Sequence, residues 1–361
     1  MKKSFYLLLA LVSIAICACN DKPVTDSPRG SYAKGADLSW LTEQERDSVL
    51  FYNDNGEPQE CITLLRSLGM NAVRLRVWVN HTTGWCNKQD VVDKAVRATA
   101  LGQRIMIDFH YSDNFADPNT QAIPAAWQNY NLEQMCQAVA DHTIEVLSAL
   151  REAGVTPEWV QVGNETTYGM LWPMGRTQIL NPDSTLTDCE GGWQRYAMLT
   201  SAGYNAVKSV FPDAIVIVHH DNAYLDNTAF YHRLLDNGGK FDMIGLSHYP
   251  MMFYWCHKPW QEMNTLAEAN VKKLAEEFGG KVMIAEVGMV SAEEELSAVV
   301  MQDFLNRMQA TGVCAGVFYW EPQVFNGWKP REYDALGWGS YEMGAFTNDG
   351  HPQQALKLML K

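Results

Sequence analysis

The sequence predicts a (β/α)8 barrel, an α/β fold of eight parallel strands, each followed by a helix, in a single domain. Three observations predict it. From Ser31 onward, short apolar runs alternate with longer segments of helical period, the pattern of a parallel sheet built from βα units. Glycine recurs just past the helical segments and shortly before the next apolar run. No linker or low-complexity tract divides the remainder of the 361 residues, and 47% hydrophobic against 19% charged residues supply a core of that size.

The apolar runs are Tyr32 to Asp37, Ala72 to Val77, Arg104 to Phe109, Trp159 to Val162, Ala214 to His219, Met243 to Ser247, Val282 to Ala285 and Gly316 to Trp320. Between them, Cys61, Leu64, Leu65 and Leu68 follow an i, i+3, i+4, i+7 stripe, as do Leu132, Met135, Cys136 and Val139. Each stripe gives a helix one apolar face to lay on a sheet. Gly69, Gly102, Gly154, Gly279 and Gly312 supply the punctuation, and residues 352–360 supply a last helix to close the ring.

The first residues read as a targeting segment. Lys2 and Lys3 precede an apolar run from Phe5 to Ile16 that is short for a bilayer span, and small residues follow. Ile16-Cys17-Ala18-Cys19 resembles the lipobox of bacterial lipoproteins, with Cys19 the expected lipid acceptor and Cys17 the alternative. The expected organisation is therefore a signal peptide over 1–18, a polar tether over 19–30 and a barrel over 31–361, exported and anchored at an outer membrane or cell surface. Six further cysteines show no CxxC pair, and Cys61, Cys136 and Cys314 lie in apolar runs as expected of small core residues. A formal net charge of -14 argues against nucleic acid, which needs clustered Lys and Arg. Twelve Trp and fifteen Tyr suit a sugar ligand, because amphipathic rings stack on the apolar faces of sugars. A monomer is expected.

In such barrels the active site lies at the carboxyl ends of the strands. Strand 4 ends at Asn164-Glu165 and strand 7 at Glu286, which brings two carboxylates to one mouth. Cleaving a glycosidic bond needs that pair, one carboxylic acid to protonate the leaving oxygen and one carboxylate to attack the anomeric carbon. Burial and a negative neighbour keep the acid protonated, and a cation or hydrogen-bond donor keeps the nucleophile ionised. Alternation puts Arg74 and Arg76 on one face of strand 2. An inward Arg needs a partner, so Arg74 is expected to bind Glu286, and Arg76 to form an ion pair elsewhere. His110, His248, Tyr249 and Trp320 sit at further strand ends, with Tyr249 placed to donate to Glu286. Asp37, Asp113, Asp221 and Asn222 are candidate hydrogen-bonding residues for sugar hydroxyls, and Trp85 and Trp328 candidate stacking platforms. The long loops 166–189 and 321–350 carry Trp172, Phe325, Trp328, Tyr333, Trp338 and Tyr341; half are expected to wall the cleft and half to pack the loops.

An Asn directly before a strand-4 Glu resembles clan A of the glycoside hydrolases, which implies that Glu165 is the acid/base, Asn164 the neighbour holding the sugar 2-hydroxyl, and Glu286 the nucleophile. Longer strings narrow the likeness. Gly35-Ala36-Asp37-Leu38-Ser39, Val73-Arg74-Leu75-Arg76-Val77-Trp78-Val79-Asn80, Asp108-Phe109-His110-Tyr111-Ser112-Asp113, Ala116-Asp117-Pro118, Leu171-Trp172-Pro173-Met174-Gly175 and Phe318-Tyr319-Trp320-Glu321-Pro322 resemble glycoside hydrolase family 53 from about Tyr32 to the end. The resemblance implies a retaining endo-β-1,4-galactanase acting on the galactan side chains of pectin, without a cofactor. Ala285-Glu286-Val287-Gly288 departs from the family at its nucleophile, where members often have Glu-Thr and this chain has Glu286-Val287. Bacterial relatives can hold calcium near the last loops, but Asp334, Glu342 and Asp349 lack EF-hand-like spacing and no metal is expected. The competing readings are another clan A activity, a β-mannanase or xylanase, and a non-catalytic surface glycan-binding lipoprotein.

Overall fold

A computed structural model of the chain describes residues 28–251, 258–337 and 342–361. All eight apolar runs are strands, and they close into one parallel barrel in chain order. They are β1 Ala33–Asp37, β2 Ala72–Val77, β3 Arg104–Phe109, β4 Trp159–Val162, β5 Ile215–His220, β6 Met243–His248, β7 Val282–Val287 and β8 Cys314–Tyr319. β6 and β7 run past the residues at which the sequence pattern ends them, and that extension decides which side chains enter the site. The barrel closes where Ala33 of β1 pairs with Gly316 of β8. A Cβ on Gly316 would lie 2.3 Å from the Ala33 Cβ and 2.5 Å from its carbonyl oxygen, so the close approach requires glycine.

Helices at Lys88–Ala100, Leu132–Glu152, Gly192–Val210, Trp260–Phe278 and Glu294–Ala310 pack around the strands, with shorter ones at Cys61–Leu68, Thr228–Asp236 and Gln354–Leu360. The predicted stripes face inward: Cys61, Leu64, Leu65, Met135 and Val139 are buried, with Leu68, Leu132 and Cys136 packed against them. The five glycines expected to end helices all have positive φ. Cys314 is buried on β8. No helix among the described residues is long and apolar enough to cross a membrane. The signal segment, Cys17, Cys19, most of the tether, Cys256, Trp338 and Tyr341 lie outside the described residues.

Alternation along the strands divides the core in two. Odd-facing residues such as Ala33, Ala72, Met106, Trp159, Ile217 and Met283 form a separate apolar floor inside the barrel, and the larger cluster fills the space between strands and helices. Two residues further along the same inward faces stand Arg74, Asp108, Gln161 and His219, all buried. The interior thus turns from apolar to polar on approaching the carboxyl ends of the strands.

Candidate active site

That polar layer is the base of an open cleft of about 1060 Å³ at the carboxyl end of the barrel. Both Glu165 and Glu286 line it, and each reaches it through irregular backbone. After β4 the chain turns sharply, with φ of 89° at Gly163 and 42° at Glu165. A Cβ at Gly163 would meet the Thr166 methyl at 2.5 Å, so the turn needs glycine, while Glu165 occupies a left-handed conformation uncommon outside glycine. On β7 a bulge does the work: Leu246 pairs with Ile284 but Ser247 pairs with Glu286, so Ala285 is skipped. The extra residue breaks the strict alternation and turns Glu286 inward.

Arg74 fixes the base of the cleft. Its Nη2 lies 2.9 Å from Glu286 Oε1, and the same guanidinium reaches Asp37 Oδ2 and Asp108 Oδ2 at 2.9 Å each. It also donates to Gln161 Oε1 at 2.7 Å and Asn164 Oδ1 at 2.9 Å. The other Glu286 oxygen accepts from the Tyr249 hydroxyl at 2.8 Å. His110 Nδ1 accepts from the Ala116 N–H at 2.9 Å, which leaves Nε2 to donate to Asp108 at 3.0 Å. Burial holds His110 neutral, its pKa depressed despite Asp108.

The two glutamates sit in unlike electrostatic surroundings. Burial raises the pKa of both. For Glu286 the nearby Arg74 charge and the Tyr249 hydrogen bond oppose that rise. For Glu165 the charges of Glu286 and Asp221 add to it, and its pKa stands well above the usual carboxylate range although a hydrogen bond from Ser247 lowers it. A proton shared by the pair near neutrality therefore belongs to Glu165.

Residues 33–359, almost the whole barrel, match the family model described as glycosyl hydrolase family 53. The chain belongs to glycosyl hydrolase family 53. A Bacillus subtilis relative named endo-beta-1,4-galactanase is 30% identical over 325 residues, covering 81% of this chain and 70% of that protein. The catalytic domain of the family 53 enzyme of Ignisphaera aggregans superimposes with a TM-score of 0.76 at 26% identity, covering 94% of this chain and 98% of that one. A fungal structure reported among beta-1,4-galactanases gives 0.75 at 28% identity, covering 91% and 98%.

Within this family 53 cleft the structure gathers Glu165, Glu286, Asn164, His110, Tyr249, Asp221, Asn222 and Trp320 of the residues the sequence singled out. Arg74 lies directly beneath and pairs with Glu286 as expected. Arg76 forms the separate ion pair, 2.7 Å from buried Glu321, with its guanidinium over Trp40, Trp78 and Phe115.

Five expectations are corrected. His248 points out of the barrel: its Nε2 bonds Asn264 at 2.8 Å and its ring stacks on Phe304, because the strand continues through it and alternation sends it outward. Asp37 is fully buried and spent on Arg74 and on Ser39, out of reach of a sugar. Asp113 staples two loops, accepting from the N–H groups of Asn80 and Ala125. Trp85 lies against Arg46 and Trp328 donates to Asp47 after β1, and neither is among the described residues that line the cleft.

Of the loop aromatics, Trp172 and Tyr333 line the cleft, and Phe325 bridges to Trp328. Glu342 also lines it, whereas Asp334 pairs with Lys329 and Asp349 accepts from Thr347. Sequence reasoning missed Ser247, His219, Tyr168, Asp117 and Arg176. Ser247 and His219 were findable, because each is two residues before a selected strand-end residue, Tyr249 and Asp221, on the same face.

Proposed function

We propose that the chain is a retaining endo-β-1,4-galactanase in which Glu165 is the general acid/base and Glu286 the nucleophile. One observation carries the reading: two carboxyls share a cleft, one beside Arg74 and Tyr249, the other beside the acids Glu286 and Asp221 and the Ser247 hydroxyl. In the first displacement Glu165 protonates the glycosidic oxygen as Glu286 attacks the anomeric carbon. In the second, water attacks that carbon, the bond to Glu286 breaks, and Glu165 takes the water's proton. Asn164, its oxygen held by Arg74 and its amide nitrogen donating to the Ala116 carbonyl, keeps one N–H for the sugar 2-hydroxyl. Trp320 and Trp172 are the stacking surfaces, and Asp221 and Asn222 the hydroxyl partners, while His110, with both ring nitrogens taken by Ala116 and Asp108, lines the cleft without a free hydrogen-bonding atom.

β-1,4-Galactan, the side chain of pectin, is the proposed substrate, supported by the names of the family 53 relatives. Export as a lipoprotein, with Cys19 acylated and the barrel displayed as a monomer at the cell surface, is proposed from the N-terminal sequence.

A time course on linear galactan, mannan and xylan tests the substrate. Mid-length galactooligosaccharides should appear first from galactan, with little release from the others. Mannan or xylan ranking first would remove the galactanase reading, and galactose or galactobiose alone at early times would remove the internal mode of attack.

A further inference from the structure

His219 is buried under the cleft and takes no part in the double displacement, yet its surroundings fix where its proton sits. Arg74 Nε can only donate, so the Gln161 oxygen must face it at 2.7 Å, which turns the Gln161 amide nitrogen to His219 Nδ1 at 2.9 Å. The Glu165 backbone N–H also points at Nδ1, at 3.4 Å. Against these two donors stands one acceptor, Asn164 Oδ1, at 3.0 Å and already held by Arg74. Two donors outweigh one committed acceptor, so Nδ1 accepts and the proton resides on Nε2. Burial and the nearby Arg74 charge keep the ring neutral, which excludes a proton on both nitrogens. Nε2 lies 2.9 Å from the Ser247 oxygen. Ser247 thus receives a hydrogen bond from His219, and its own hydroxyl proton is free to point at its other neighbour, the Glu165 carboxyl.

We propose that Ser247, oriented by His219, is a positioning residue whose hydroxyl donates to the Glu165 carboxylate and holds its ionised form during the second displacement. The proposal rests on the acid/base role given to Glu165 above. The acids around Glu165 work in the other direction: Glu286 from β7, Asp221 after β5 and Asp117 in the loop after β3 all favour its protonated form. Arg74 is committed to Asp37, Asp108 and Glu286, and the same cleft is lined by His110, Tyr168, Arg176 and Tyr249. In the second displacement Glu165 must be a carboxylate, since it takes a proton from water while the ester bond between the sugar and Glu286 breaks and its electron pair returns to Glu286. A donor fixed on Glu165 serves that half of the reaction and limits how far the acids raise its pKa. The opposite histidine tautomer would reverse the effect: Ser247 would donate to His219 and could then only accept from a protonated Glu165.

Two measurements decide it. In the wild-type full chain, nitrogen NMR of labelled histidine should find His219 protonated on Nε2; a proton on Nδ1 overturns the proposal. This reading needs no turnover, so it stays distinguishable from a failure of the galactanase assignment. In Ser247→Ala the basic limb of the pH profile of kcat/KM should move up by about one unit, the size of one charge-assisted hydrogen bond. On an aryl β-galactobioside with a good leaving group, where the second displacement limits turnover, kcat should fall about tenfold. Ser247→Thr, which keeps the hydroxyl, should restore both. A basic limb that stays put or moves down in Ser247→Ala overturns the proposal.

Discussion

Removing the hydroxyl of Tyr249 isolates one contact to the proposed nucleophile. In Tyr249→Phe, Glu286 keeps Arg74 on Oε1 at 2.9 Å but loses the 2.8 Å bond on Oε2. Burial already raises the Glu286 pKa, and the Arg74 charge and this bond are what oppose the rise. A hydrogen bond to a charged group contributes about 1.5–3 kcal/mol. At about 1.4 kcal/mol per pH unit, its loss moves the Glu286 pKa up by roughly one to two units. Because the nucleophile must be ionised, the acidic limb of kcat/KM moves to higher pH by that amount. Below the limb the variant should be about ten- to a hundredfold slower than wild type, with the difference shrinking at higher pH. Rates on a defined galactooligosaccharide across pH, with circular dichroism to confirm folding, measure it. An acidic limb that stays in place, or shifts down, would refute the claim that Tyr249 stabilises the charge on Glu286.

Glu165→Gln should abolish turnover on galactan and raise thermal stability at pH 8. The folded pKa of Glu165 lies above its ordinary value of 4.5, so folding is favoured below that value and penalised as pH rises toward the folded pKa. Glutamine does not titrate, so the gain in Tm should grow from pH 4.5 to pH 8 and would be contradicted by a variant less stable than wild type at pH 8. Arg74→Met leaves Asp37, Asp108 and Glu286 buried without their shared cation. Urea unfolding near neutral pH should show a loss of about 3–5 kcal/mol, and a loss under 1 kcal/mol would mean that the cluster relaxes or takes up protons at little cost.

The barrel was legible because each unit of it is written locally. A strand buried on both faces is a short apolar run, a helix laid on it carries a 3.6-residue stripe, and the turn between helix and strand ends on a residue tolerant of positive φ, as Gly69 and Gly279 are. The meeting of Glu165 and Glu286 in one cleft was legible through their position at strand ends, and the Arg74–Glu286 contact through the cost of an unpaired inward charge. What failed was facing. Ending β6 at Ser247 made His248 look like a loop residue above the site, whereas the strand runs through it and turns it outward. Glu286 enters the cleft only because a bulge skips Ala285, and nothing in Ile284-Ala285-Glu286 announces that irregularity. Asp113, Trp85 and Trp328 failed for another reason: loop side chains find partners distant in sequence, as Trp328 finds Asp47, and a strand-end position alone does not say which way they turn.

Glu286 as the attacking carboxylate, with Glu165 across the same cleft, is tested most directly by trapping the intermediate. Incubation with an activated 2-deoxy-2-fluoro-β-galactobioside, followed by peptide mass spectrometry, should find one sugar esterified to Glu286, and turnover should return as the ester hydrolyses. A label on any other carboxylate, or product released with inverted configuration and no trapped ester, would contradict the account.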